Sequence, residues 1–209
     1  VILKAFYGVL KSKDSCLRFA LLTGVTKFSQ VSVFSDLNQL NDISMKPPYA
    51  TVCGITQQEL VDTFTPEIIR LGEQNGLSFD ETVAKLTTMY DGYHFCENTL
   101  GIYNPFSVLL TLSENRYDSY WFATGTPTYL VELLKKSGFD LQALSNYETS
   151  ESALNSIHRA DINPVPVLFQ SGYLTIKGYD EEFDVYKLDY PNEEVRQGFE
   201  ALKRLVISD

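Results

Sequence analysis

Apolar positions in the first dozen residues fall at helical spacing. Ile2, Phe6, Val9 and Leu10 recur with lysines between them, which predicts an amphipathic helix over residues 1–12. The pattern then changes. CLRFALLTGV, residues 16–25, is apolar almost throughout, as expected of a strand covered on both faces in a parallel sheet. Thr23, Thr26, Lys27 and Ser29 follow. They read either as an ordinary turn or as a phosphate-sensing strand end, since open α/β sheets bind ligands just past their strands. Residues 26–43 read as loop and short helix, and PPYATVCGI, residues 47–55, as a second extended piece.

From Thr56 the period is helical and the punctuation strong. Thr56 with Glu59, and Ser78 with Glu81, are spaced as capping boxes. Thr65 with Pro66, Asn104 with Pro105, and Thr126 with Pro127 each place a cap before a first-turn proline. Gly76 and Gly92 stand where helices stop. Residues 56 to about 160 therefore read as a helical region. The last part differs again. A short apolar segment from Pro164 leads to YLTIKGY and DVYKLDY, which alternate as two strands around the acidic turn DEEF. An amphipathic helix follows, capped by Asn192, with Phe199, Leu202 and Leu205 on its apolar face. Helix followed by hairpin is the pattern of a winged-helix-like unit.

Composition narrows the function classes. Hydrophobic residues make up 44% of the 209 positions and charged residues 21%, which suits a folded core. No apolar run reaches the ~18 residues of a membrane span. The net charge of −10 repels a phosphate backbone, and the densest basic groups, Lys11 with Lys13 and Lys203 with Arg204, form no patch. Cys16, Cys53 and Cys96 are odd in number and in no CxxC pattern; they read as reduced thiols of a cytoplasmic protein. His94 and His158 lack metal-ligand spacing, so no metal site is expected.

The absent motifs weigh most. There is no G-x-x-x-x-G-K-[ST] loop and no Gly-Lys dipeptide, hence no backbone cradle with its lysine for phosphates. No apolar strand ends in paired acids for Mg²⁺, and no nucleophile elbow occurs. Asp184 and Lys187 have the wrong spacing for a nuclease centre. MYDGYHF and GIYNPFSVL place aromatics around Asp91 and Asn104, which a helix stop and a helix cap explain. Gln170 and Ser171 before Gly172 read as a tight turn into a strand. On its own residues the chain has no catalytic engine.

Several strings in order, FYGVLKSKDSCLRFALLTGVTKFSQ, YATVCGIT, YDGYHF, YNPFSVL, YWFATGTPTYL, FQSGYLTIKGY and YPNEEV, resemble the bacterial predicted AAA-ATPase-like family. Its members often carry a nuclease-like domain of the PD-(D/E)xK type. The resemblance implies a mixed α/β, predominantly helical fold in three parts. Residues 1–55 would be the back half of a parallel P-loop NTPase core, 56–160 a helical lid, and 161–209 a winged-helix-like unit. It implies a sensor-1 role for Thr23 and adenine contact by Gly125, Thr126 and Pro127 of the lid, with Lys27 near the phosphates. ATP and Mg²⁺ would be bound by the intact protein. The family's phosphate-binding loop, Walker B acids and nuclease-like domain are not in these 209 residues, so the chain is expected to be inactive by itself. Self-association through exposed core surface is a further expectation. The alternative is a stand-alone protein-interaction module, because thirteen Tyr and thirteen Phe supply material for an interface.

Overall fold

Thr56 opens the helical region as its side chain dictates. Its hydroxyl accepts from the Glu59 N–H at 3.2 Å, and the Glu59 carboxylate accepts from the Thr56 N–H at 2.9 Å. This reciprocal capping box satisfies two otherwise orphaned donors. Ser78 and Glu81 repeat it at the next helix. The computed structural model describes residues 8–10, 12–24, 41–123, 128–155 and 163–207. It divides into two compact units, Val1–Ile43 and Ser44–Asp209.

In the second unit the helices are α1 (Gln57–Asn75), α2 (Phe79–Tyr90), α3 (Pro105–Glu114), α4 (Tyr120–Ala123), α5 (Thr128–Ser137), α6 (Glu151–Leu154), α7 (Val165–Gln170) and α8 (Glu193–Ile207). Three strands, β1 (Tyr147–Thr149), β2 (Thr175–Asp180) and β3 (Val185–Asp189), form an antiparallel sheet in the order β1-β3-β2. The register slips between Ile176 and Gly178, which leaves a bulge in the β2–β3 hairpin.

Two apolar clusters hold these elements. One joins Leu60, Ile68 and Leu71 of α1 to Leu86 and Tyr90 of α2 and to Val108 and Leu112 of α3. The other packs Ile176 and Leu188 of the sheet with Leu133 of α5, Leu168 of α7 and Val195, Phe199 and Leu202 of α8. α8 carries its apolar face as the sequence predicts, and Asn192 caps it by accepting from the Val195 N–H at 3.1 Å. The side chain of Leu205 lies outside the described residues. The predicted hairpin is present, with β1 as a third strand that its three-residue length hid.

Three expectations are corrected. Residues 17–24 form no strand and are exposed throughout, Phe19 to 79% and Leu21 to 59%. A parallel strand needs hydrogen-bonded neighbours, and the described residues of 1–55 contain no parallel strand to pair with it. The remnant of a parallel P-loop core is therefore not seen there. Residues 47–55 are not extended: Pro47–Tyr49 is a 3-10 turn, because two consecutive prolines fix φ and withhold donors from any ladder. Ile55 alone keeps a strand-like bridge, to Tyr103. The predicted break is present, since Phe64 is non-helical and two helical stretches meet there across a kink, but the Thr65 side chain does not cap the second stretch. Its hydroxyl donates to the Val61 carbonyl at 2.6 Å, and α1 runs on through a kink at Phe64 that Pro66 enforces. The predicted helix at the start is helical where described, at residues 8–10 and 12.

Candidate functional site

Of the five residues predicted to meet a nucleotide, Thr23 alone falls among the described residues. It is exposed, at the end of the apolar run in the first unit. Lys27, Gly125, Thr126 and Pro127 lie outside the described residues. The polar chemistry that is brought together instead sits in the second unit, where the loop of residues 91–104 meets α3, α4, β2 and α8.

The loop begins where α2 stops. Tyr90 ends the helix and Asp91 follows in extended conformation. Gly92 then takes φ +98 and passes so close to the chain that a Cβ would run into the Pro191 carbonyl, a combination that only glycine permits. Lys177 of β2 closes this crossing by donating to the carbonyls of Pro191 at 2.9 Å and Gly92 at 3.2 Å. Burial of its ammonium group lowers its pKa. The His94 N–H donates to the Thr175 hydroxyl at 2.7 Å, and that hydroxyl donates back to the His94 carbonyl at 2.9 Å. Loop and sheet are thus tied by a reciprocal pair.

The His94 ring lies with Nδ1 3.0 Å from the Thr99 carbonyl. A carbonyl only accepts, so Nδ1 carries the proton and Nε2 is the free acceptor in the neutral ring. Burial, and then the charge of Lys177, push the His94 pKa down. Asp91 is pushed up by burial, against the pull of the Gly92 N–H, His94 and Lys177. Its Oδ1 is buried without a hydrogen-bond partner. Both Asp91 Oδ1 and His94 Nε2 face Gly101: a Cβ there would lie 3.1 Å from the first and 3.3 Å from the second. Among the described residues no three His, Cys, Asp or Glu side chains converge on a metal site.

A second acid lies deeper. Glu194, in the first turn of α8, is fully buried. Its Oε1 accepts from the Trp121 N–H at 2.8 Å, and the Ser107 hydroxyl lies 3.0 and 2.8 Å from its two oxygens. Burial raises its pKa more than these donors and the Phe122 N–H lower it. The same α4 turn is clamped by aromatic packing. The Tyr173 ring lies 5.1 Å from that of Trp121 in a tilted contact and 5.8 Å from that of Phe122 edge to face. Gly198 of α8 approaches the Phe122 ring so closely that a Cβ would overlap it.

Asp91 and Asn104 were legible as a helix stop and a cap, and both do that: the Asn104 side chain accepts from the Phe106 N–H at 3.0 Å. Lys177 and Glu194 were missed. Lys177 looks like any alternating strand position. Glu194 gave one signal, an acid at a helix start with a glycine one turn later on the same face. An open groove of about 480 Å³ lies apart from this junction, at the α1 kink, lined by Phe64, Arg70 and Leu109 among others.

Comparison with known proteins adds a frame. The model of the family described as Predicted AAA-ATPase matches residues 1–34. The chain is also similar to a protein of Azotobacter chroococcum mcd 1 described as "Uncharacterized protein in vnfD 5'region", 39% identical over 197 residues. That alignment covers 93% of this chain and 36% of the relative, so the chain spans about a third of the relative's length. No solved structure matches.

Proposed function

We propose that this chain works as the middle portion of an AAA-ATPase-like protein, in which ATP binding and hydrolysis are coupled to a C-terminal effector. The observation that carries the reading is the match of residues 1–34 to the Predicted AAA-ATPase model. In this reading residues 1–55 belong to the nucleotide-binding core, 56–160 to the lid and 161–209 to a winged-helix-like unit. Thr23 contacts the γ-phosphate or the attacking water, and Lys27 lies near the phosphates. Gly125, Thr126 and Pro127 form the adenine wall. ATP and Mg²⁺ are the cofactors, and the protein is cytoplasmic.

Phosphoryl transfer is positioning and charge stabilisation by a phosphate-binding loop, Mg²⁺ and an acid. These 209 residues contain no such loop, so the chain by itself is expected neither to hydrolyse ATP nor to bind it tightly. ATP turnover by the purified chain that EDTA abolishes would refute this. In the intact protein, Pro127→Ala should weaken nucleotide binding, read by titration calorimetry, while unchanged affinity would remove Pro127 from the adenine wall. The exposed Leu17, Phe19, Leu21 and Leu22 also favour a second reading, a module that binds a protein partner through this run. A partner that competes with no nucleotide would support that reading.

A further inference from the structure

Glu194 is the one charged residue fully buried among the described residues. Its carboxylate stands where three helices meet. The Ser107 hydroxyl of α3 lies 3.0 and 2.8 Å from its two oxygens. The Trp121 N–H of α4 donates to Oε1 at 2.8 Å, and the Phe122 N–H donates as well. Glu194 itself belongs to the first turn of α8. Among the described residues no ion pair reaches it. The two α4 amides are donors of a helix's first turn, which no carbonyl of their own helix can take. Glu194 takes them from across the fold, as a cap residue does from within a chain. Every partner gives a hydrogen to the carboxylate, and the first turn of α8 favours negative charge. That is the arrangement of the anion.

α4 needs such a hold. It is four residues long, too short to be stable by its own hydrogen bonds. Its fixed position comes from α8 and from the chain before β2. The Phe122 ring lies against Gly198, where a Cβ would overlap it, and the rings of Trp121 and Phe122 pack on Tyr173. A buried anion that loses its donors must reach water, so the carboxylate and α4 let go of each other together. We infer that the ionised Glu194 carboxylate is a latch on α4. Closed, it holds α4 on α8 and against α3. Open, α4 leaves with its aromatic side chains, the carboxylate and the two amides are hydrated, and both apolar clusters stay folded. Glu194 is thus a positioning residue that sets how often α4 opens. The latch does not depend on the nucleotide reading.

The test is amide hydrogen exchange of the folded chain, followed by NMR at low urea concentrations. In the parent, the Trp121 and Phe122 amides should exchange through a local opening. Their protection should be lower than that of Leu71 in α1 and Phe199 in α8, which lie at the centres of the two clusters. It should also depend less on urea, because the urea slope scales with the surface an opening exposes. Glu194→Gln keeps the shape, removes the charge and leaves one acceptor oxygen in place of two. It should lower the protection of the Trp121 and Phe122 amides about tenfold. Trp121 and Phe122 amides with the protection and urea slope of Leu71 and Phe199 would overturn the latch, since α4 would then open only when the whole unit unfolds. Unchanged protection in E194Q would overturn it as well. Where E194Q does not fold, Ser107→Ala takes its place: loss of the α3 donor should lower the protection of the same two amides, and no change overturns the inference. The charge is read separately, by infrared spectroscopy of the chain labelled at its glutamate carboxyl carbons. At neutral pH carboxylate bands alone are expected, and a protonated-acid band that E194Q removes would contradict the ionised latch.

Discussion

Two apolar runs of similar composition have opposite fates in this chain. In CLRFALLTGV, Leu17, Phe19, Leu21 and Leu22 are exposed. In PVPVLFQSGYLTI, Val165, Val167, Leu168, Leu174 and Ile176 are buried. The second run has partners: its first half is α7, its second enters β2, and α8 closes over both. The first has no strand beside it among the described residues of its unit. An apolar run states a demand for burial, and the elements around it decide whether the demand is met.

The contrast can be broken most forcefully from the buried side. Phe199→Ala empties the centre of the cluster where α8 meets Tyr173 and Tyr190. It should cost ~3–5 kcal/mol, enough to unfold a marginal unit, read as a large drop in the urea midpoint. Gly198→Ala comes next. A helix interior ordinarily gains from this change, but here the new methyl overlaps the Phe122 ring, so a loss of ~1–3 kcal/mol is expected. A gain would mean that α4 is not held against α8. Thr56→Ala removes one half of a capping box and should cost ~1 kcal/mol, seen as a modest fall in melting temperature. The smallest effect belongs to the exposed run. Phe19→Ser with Leu21→Ser should leave the chain's stability within ~0.5 kcal/mol and reduce self-association in sedimentation velocity. A large destabilisation would show that the run is buried in solution.

Local rules made much of the fold legible. Caps at Thr56, Ser78, Asn104 and Asn192 were readable because each is settled within four residues, by a side-chain oxygen and the amides it faces. The β2–β3 hairpin was readable for the same reason, from its alternation and acidic turn. What failed depends on distant chain. Residues 16–25 have the texture of a buried strand, but pairing is a long-range property that texture does not contain. The site divides in the same way. Asp91 and Asn104 announce themselves beside helix ends. Lys177 and Glu194 acquire meaning only when Pro191 and Ser107 arrive next to them, 14 and 87 positions away.

The most direct test of the account is calorimetric titration of ATP with Mg²⁺ into the 209-residue chain and into the intact protein, followed by assay of phosphate release. The account predicts no tight binding and no turnover for the chain. The intact protein should bind, with affinity reduced by Pro127→Ala. EDTA-sensitive turnover by the chain alone, or an intact protein that binds no nucleotide, would contradict it.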